Sequence, residues 1–131
     1  MVTDQISDFI IKMKNAARAG KQSVSVGYSG IKNSIADVLE KEGFVKNETK
    51  KDAASTTRKV EVSIVFEGGK PKLNDVERIS KVSRRLYVKA TKIVPFKNGK
   101  GRTIITTSKG VMTDRDARKQ GLGGELLFKI W

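Results

Sequence analysis

One stretch of twenty residues constrains this chain more than any other, because a hydroxyl-rich turn, a short charged helix and a glycine cluster follow one another between apolar strands. It runs from Thr106 to Glu125, preceded by Ile104 and Ile105 and followed by the alternating Leu126, Phe128 and Ile130. β-Branched and alternating apolar residues of this kind form half-buried strands. Thr113, with Asp116 three positions on, resembles a helix-capping box, and Gly121 suits the left-handed residue that closes a helix. Asp114 and Asp116 stand at the positive end of the helix dipole and Arg118 and Lys119 at the negative end. The segment therefore reads as a turn and a helix held between two strands. Thr106, Thr107, Ser108 and Lys109 sit on the turn, where hydroxyls that both donate and accept hydrogen bonds suit recognition.

The residues before this stretch divide into two patterns. Ile6, Phe9, Ile10 and Met13 fall at helical spacing, with Thr3 as cap and Gly20 as stop. Lys12, Lys14, Asn15 and Arg18 lie on the other face, as a solvated basic surface or as a phosphate contact. Ser23 to Val26 predicts a brief strand. Ser29 opens a second helix with Ile31, Ile35, Val38 and Leu39 on one stripe and Gly43 ending it. Phe44 to Glu48 predicts a short strand, Thr49 to Thr57 a polar loop, and Val60, Val62, Ile64 and Phe66 one alternating strand. Two helices on one face of three strands make a first unit. Gly68-Gly69-Lys70-Pro71 breaks regular structure, and the domain boundary is expected there, dividing residues 1–71 from residues 72–131.

Beyond the boundary, Leu73, Val76 and Ile79 are expected to pair with Leu86-Tyr87-Val88 as a hairpin. Arg84 and Arg85 enter its second strand, and Tyr87 stands among Arg78, Lys81, Lys89 and Lys92, an arrangement that suits base stacking or simple packing at a sheet edge. Ala90 to Phe96 predicts one helical turn stopped by Pro95, Asn98 to Gly101 a flexible loop, Arg102 to Ile105 a strand, and Glu125 to Trp131 the last strand. The fold class is α+β, with a helix-strand-helix-strand-strand unit followed by a mostly β unit carrying a short helix.

Charge says what such a protein meets. The net charge is +13, and it is uneven: residues 1–71 hold 12 Lys and Arg against 9 Asp and Glu, residues 72–131 hold 15 against 5. The second unit carries a net +10, which points to a polyanion. With no histidine and no cysteine, histidine-dependent catalysis, disulfides and thiolate metal sites are excluded. No apolar run approaches the ~20 residues that span a bilayer, and Met1-Val2-Thr3-Asp4 does not begin a signal peptide, so a cytoplasmic protein away from membranes is expected. Neither Gly99-Lys100-Gly101 nor Gly121-Leu122-Gly123-Gly124 has the spacing of a phosphate loop or a dinucleotide fingerprint, and no cofactor or metal is expected. A phosphate-handling hydrolase built on Glu125 and Lys109 is disfavoured by the missing base and paired carboxylates. A nonspecific DNA-coating protein is disfavoured by the uneven charge.

The run Thr106-Thr107-Ser108-Lys109-Gly110-Val111-Met112-Thr113-Asp114-Arg115, with Ala117-Arg118 and Gly121-Leu122-Gly123-Gly124-Glu125, resembles the C-terminal signature of the family of the eighth protein of the small ribosomal subunit. Asp4, Ile6, Asp8, Lys12, Lys14, Asn15 and Ala16 resemble that family's opening motif, so the likeness covers the whole chain. Where the family usually has Lys-Pro-Gly this chain has Lys81-Val82-Ser83, and the family's Glu-Ile-Pro becomes Lys92-Ile93-Val94-Pro95. The resemblance implies a non-enzymatic component of the cytoplasmic ribosome. It implies a primary binder of central-domain ribosomal RNA, contacts with neighbouring ribosomal proteins, and repression of its own operon through a messenger site. It places the RNA-facing groups on Thr106, Thr107, Ser108, Lys109 and Gly110, on Tyr87, and on Gly124 and Glu125. Lys12, Lys14, Asn15, Arg18, Arg85 and Lys89 are the expected supporting contacts. The physics agrees, since A-form RNA hides its bases in a deep groove and is read at irregular loops and the shallow minor groove. Cations would set orientation on phosphates while the turn and Glu125 read bases and sugars.

Overall fold

The computed structural model describes residues 4–49, 59–81, 83–95 and 100–131. Helix α1 (Gln5–Ala19) begins one residue later than expected: its cap is Asp4, whose carboxylate accepts from the Ser7 N–H at 3.1 Å, whereas Thr3 lies outside the described residues. Gly20, in the left-handed region at φ 74°, closes it. Strand β1 (Ser23–Gly27) leads to α2 (Gly30–Lys41), capped by Ser29 as expected, and to β2 (Val45–Asn47). The loop expected over Thr49 to Thr57 falls, beyond Thr49, outside the described residues. Strand β3 (Lys59–Ile64) pairs with β1 on one side and β2 on the other, giving an antiparallel sheet on which both helices pack. The α+β class is that read from the sequence.

Three departures concern how strands pair. The alternation from Val60 to Phe66 is not one strand: it breaks at Val65, and β4 (Phe66–Glu67) turns back on β5 (Lys70–Pro71). Gly68 and Gly69, at φ 60° and 79°, form the two-residue turn between them, so the glycine pair makes a tight hairpin instead of ending regular structure. The second departure is the hairpin expected across residues 73–88. Strands β6 (Val76–Arg78) and β7 (Tyr87–Val88) exist, yet both pair with β10 (Gly124–Ile130), one after the other along the same edge. They are one edge strand interrupted by a loop. Ser80, fully buried, closes its base, with its hydroxyl accepting from the Leu86 N–H at 2.9 Å and donating to the Leu86 carbonyl at 3.2 Å. The third departure is an added strand, β9 (Gly110–Thr113), between the turn and α3 (Asp114–Gln120).

After one 3-10 turn at Ala90–Lys92, β8 (Arg102–Thr107) completes the second sheet, ordered β6/β7, β10, β8, β9. The loop expected at Asn98 to Gly101 lies partly outside the described residues. A register shift after Leu126 lets consecutive Leu127 and Phe128 both enter the main core, with Ile104 and Ile130. That core is continuous with Phe9, Met13, Ile35 and Val62 of the first sheet and its helices. Leu126 instead joins Ile105, Met112 and Ala117 in a small second core beneath α3, so the strand's alternation serves two cores. Asp4 ties α1 to the second sheet as well as capping it, because the Arg78 guanidinium pairs with it at 3.1 Å and donates to the Leu127 carbonyl at 2.5 Å.

Candidate nucleic-acid interface

The hydroxyl stretch is a hairpin tip. Thr106 and Thr107 end β8, Ser108 and Lys109 form a two-residue loop, and Gly110, at φ 108°, starts β9 opposite Thr107. The Thr107 hydroxyl donates to the Gly110 carbonyl at 2.9 Å and accepts from the Lys109 N–H at 3.1 Å, so it shapes the loop. Ser108 and Lys109 are exposed, and Ser108 has no hydrogen-bond partner among the described residues. The tip therefore offers one free hydroxyl, one ammonium and the loop's backbone.

Register brings the other expected residues to this hairpin. Glu125 lies opposite Tyr87 on one side and Thr106 on the other, and directly opposed residues of antiparallel strands share a face. Tyr87, Glu125 and Thr106 thus form one row across three strands. Tyr87 is 71% exposed, as a stacking platform requires and a packed edge tyrosine does not. Glu125 is buried, and both its oxygens accept from Nη1 of Arg85, at 3.1 and 3.3 Å. The glycines before it permit the row. A Cβ on Gly124 would collide with the Thr106 carbonyl, and one on Gly123 would come 2.5 Å from the Val88 carbonyl. Neither neighbour can yield without parting strands.

The supporting cations separate into two groups. Lys89 is exposed just beyond β7 and close in sequence to Tyr87. On α1, Lys14 and Arg18 both reach Asp75, at 2.8 and 3.8 Å, tying the helix to the chain entering β6, and Lys12 pairs with Asp8 at 3.3 Å. Asp75 is held below the usual carboxylate range by the Lys14 ammonium and then by the Val76 N–H. Asp4 is also lowered: burial alone would raise it, but hydrogen bonds from Ser7 and Arg78 outweigh that. Lys12 and Asn15 line a shallow groove of about 340 Å³ between α1 and β1, which also has Lys21, Ser23 and Ser25 on its walls. Those last three were not singled out in the sequence, since only the packing of β1 beside α1 assembles the groove. A cleft of about 260 Å³ lies on the opposite face of the second sheet, against Val88, Ile105 and Leu126.

The family model described as Ribosomal protein S8 matches residues 4–131. Curated relatives each named "Small ribosomal subunit protein uS8" are similar along the full length. That of Syntrophus aciditrophicus is 40% identical over 131 residues, covering 99% of this chain and 98% of its own. That of Nitratidesulfovibrio vulgaris is 40% identical over 131 residues, covering 100% of both chains. The Mycoplasmopsis synoviae protein is 34% identical over 130 residues, covering 99% of this chain and 98% of its own.

Proposed function

From the premise that this chain belongs to the Ribosomal protein S8 family, we propose that it is a structural component of the small subunit of the cytoplasmic ribosome. It is not an enzyme; it binds ribosomal RNA and lies beside other ribosomal proteins. The finer reading is a primary binder of a central-domain helix around an irregular internal loop, supporting subunit assembly. A messenger site that imitates the ribosomal one extends the same recognition to repression of its own operon.

The observation that carries this reading is the row of Tyr87, Glu125 and Thr106 running into the Ser108–Lys109 tip. It sets an exposed aromatic face beside hydroxyl and backbone groups in the half of the chain with a net charge of +10, from 15 Lys and Arg against 5 Asp and Glu. Irregular RNA offers unstacked bases and 2′-hydroxyls to such a surface, and regular helices do not. In this reading Thr106, Ser108 and the backbone at Gly110 hydrogen-bond to the RNA, and Thr107 holds the loop. Tyr87 stacks on a base, Lys109 and Lys89 neutralise phosphates, and Gly124 keeps the row flat enough to approach. Residues 72–131 carry the specific site, and residues 1–71 brace it and contribute Lys12 and Asn15 to a second backbone contact. Lys14 and Arg18 serve that contact by fixing α1 through Asp75.

The test is a titration of the protein against a central-domain ribosomal RNA fragment and a scrambled RNA of equal length. Strong preference for the fragment is expected. Equal binding defeats the proposal.

A further inference from the structure

We propose that Glu125 acts on RNA through Arg85: the carboxylate is a positioning residue that aims the guanidinium, and Arg85 makes the contact. The inference rests on the RNA-binding reading above and gives Arg85, expected only as a supporting contact, the direct role that the resemblance places on Glu125.

Access decides which of the pair meets the RNA. The Glu125 side chain is 11% exposed and that of Arg85 is 52% exposed. Both Glu125 oxygens are engaged by one nitrogen, Nη1, and among the described residues Arg85 has no other partner. Its Nε and Nη2 donors are therefore unused by the described residues. A guanidinium is planar with donors in a fixed fork, so with Nη1 held on the carboxylate and the side chain tethered to its backbone, the Nε–Nη2 edge faces away from Glu125. The anchor is itself rigid, because Glu125 sits in β10 between β7 and β8. The backbone beside Arg85 is pinned too, with the Leu86 carbonyl accepting from the Leu126 N–H at 2.9 Å and Leu86 clipped to Ser80.

Electrostatics favours the same assignment. A carboxylate presented directly to RNA is repelled by every nearby phosphate, whereas one covered by a guanidinium is neutralised while it removes the ordering cost of a long flexible side chain. The free edge of Arg85 matches a pair of acceptors in one plane. Two phosphate oxygens meet that description, and so do O6 and N7 of guanine. Arg85 lies two residues before Tyr87, so its edge and the stacking platform address the same part of the RNA.

The experiment compares the full-length protein with Arg85→Lys, Glu125→Ala and the double variant. Each is titrated with the central-domain fragment and with scrambled RNA, and thermal unfolding checks that each is folded. Arg85→Lys keeps the charge and loses the fork, so about tenfold weaker binding to the fragment is expected, with scrambled RNA unaffected. Glu125→Ala should cost up to the same factor, and the double variant should bind no more weakly than the weaker single. A fragment carrying 7-deazaguanine separates the two acceptors: if it abolishes the difference between wild type and Arg85→Lys, the contact is a guanine edge, and if the difference persists, it is phosphate. As a readout that a purely structural role would not move, the Arg85 Nε–H resonance should shift when the fragment binds, and shift less in Glu125→Ala. Multiplying losses in the double variant, near a hundredfold, would show Glu125 contacting RNA by itself and overturn the proposal. So would wild-type affinity in Arg85→Lys. Wild-type protein that fails to prefer the fragment would sink the RNA reading itself, an outcome distinct from intact preference with indifferent variants.

Discussion

Asp4 performs two structural tasks that substitution can separate. Its carboxylate caps α1 through Ser7 and pairs with Arg78, the two side chains being 21% and 11% exposed. Losing an N-cap costs about 1 kcal/mol. Breaking a fully buried pair from one side costs roughly 3–5 kcal/mol and an exposed pair contributes roughly 0–1, so this nearly buried pair stands at about 2 kcal/mol. Asp4→Ala removes both and should destabilise by about 3 kcal/mol. Asp4→Ser keeps a capping oxygen and should lose only the pair, about 2 kcal/mol. For a domain of this length 1 kcal/mol moves the midpoint by roughly 3–5 °C, which places the alanine variant about 10 °C below wild type and the serine variant about 7 °C below. Thermal unfolding by circular dichroism at neutral pH reads both. A serine variant equal to the alanine variant would refute the capping contribution, and an alanine variant within about 3 °C of wild type would refute the whole assignment.

Three further outcomes follow from the packing. Gly124→Ala drives a methyl into the Thr106 carbonyl and should destabilise by about 2 kcal/mol or more in chemical denaturation, with a parallel loss of specific RNA binding. Ser80→Ala leaves Leu86 without its clip and should cost about 1–2 kcal/mol, read as a lower denaturation midpoint and faster amide exchange at Leu86. Asp4 and Asp75 bind protons more weakly in the folded protein than ordinary carboxyls do. Their stabilisation is therefore complete above the ordinary aspartate range, about pH 4, and is lost as pH falls through and below it. Asp75→Asn should flatten the acid limb of a stability–pH series, and an unchanged limb would contradict the Lys14 pairing.

What was legible in the sequence followed the range of the interactions. Helix α3 was readable to the residue, because Thr113 capping the Asp116 N–H at 3.2 Å and Gly121 at φ 69° act within a few positions. The cap of α1 was missed by one residue because both Thr3 and Asp4 are good capping types, and what marks Asp4 as the cap is its meeting with Ser7 and with the distant Arg78. Strand β9 escaped notice because Val111 and Met112 face different cores and show no apolar alternation. The paired look of residues 73–88 came from two strand-forming runs, but their partner is β10, far along the chain. At the candidate site, the hydroxyls, Tyr87 and Glu125 were expected together from the family resemblance, their residue types alone leaving packed or solvated roles open, and the register sets Thr106, Glu125 and Tyr87 side by side. The Arg85–Glu125 pair, 40 residues apart, and the Arg78–Asp4 pair, 74 apart, could not be, since nothing local distinguishes those arginines from their neighbours.

The central claim is that the tip of the β8–β9 hairpin reads RNA structure and does more than add positive charge. Ser108→Ala tests it most directly, because this exposed hydroxyl has no partner among the described residues and its loss should leave the fold intact. Binding to the central-domain fragment and to scrambled RNA is measured for wild type and variant across a salt series. A hydrogen bond lost at an irregular base or sugar weakens fragment binding by about 1 kcal/mol, roughly fivefold, while the slope of affinity against salt stays unchanged, since no phosphate contact is lost. Scrambled RNA should bind both proteins alike. Equal weakening for both RNAs, or no weakening for either, would contradict the recognition assigned to the tip.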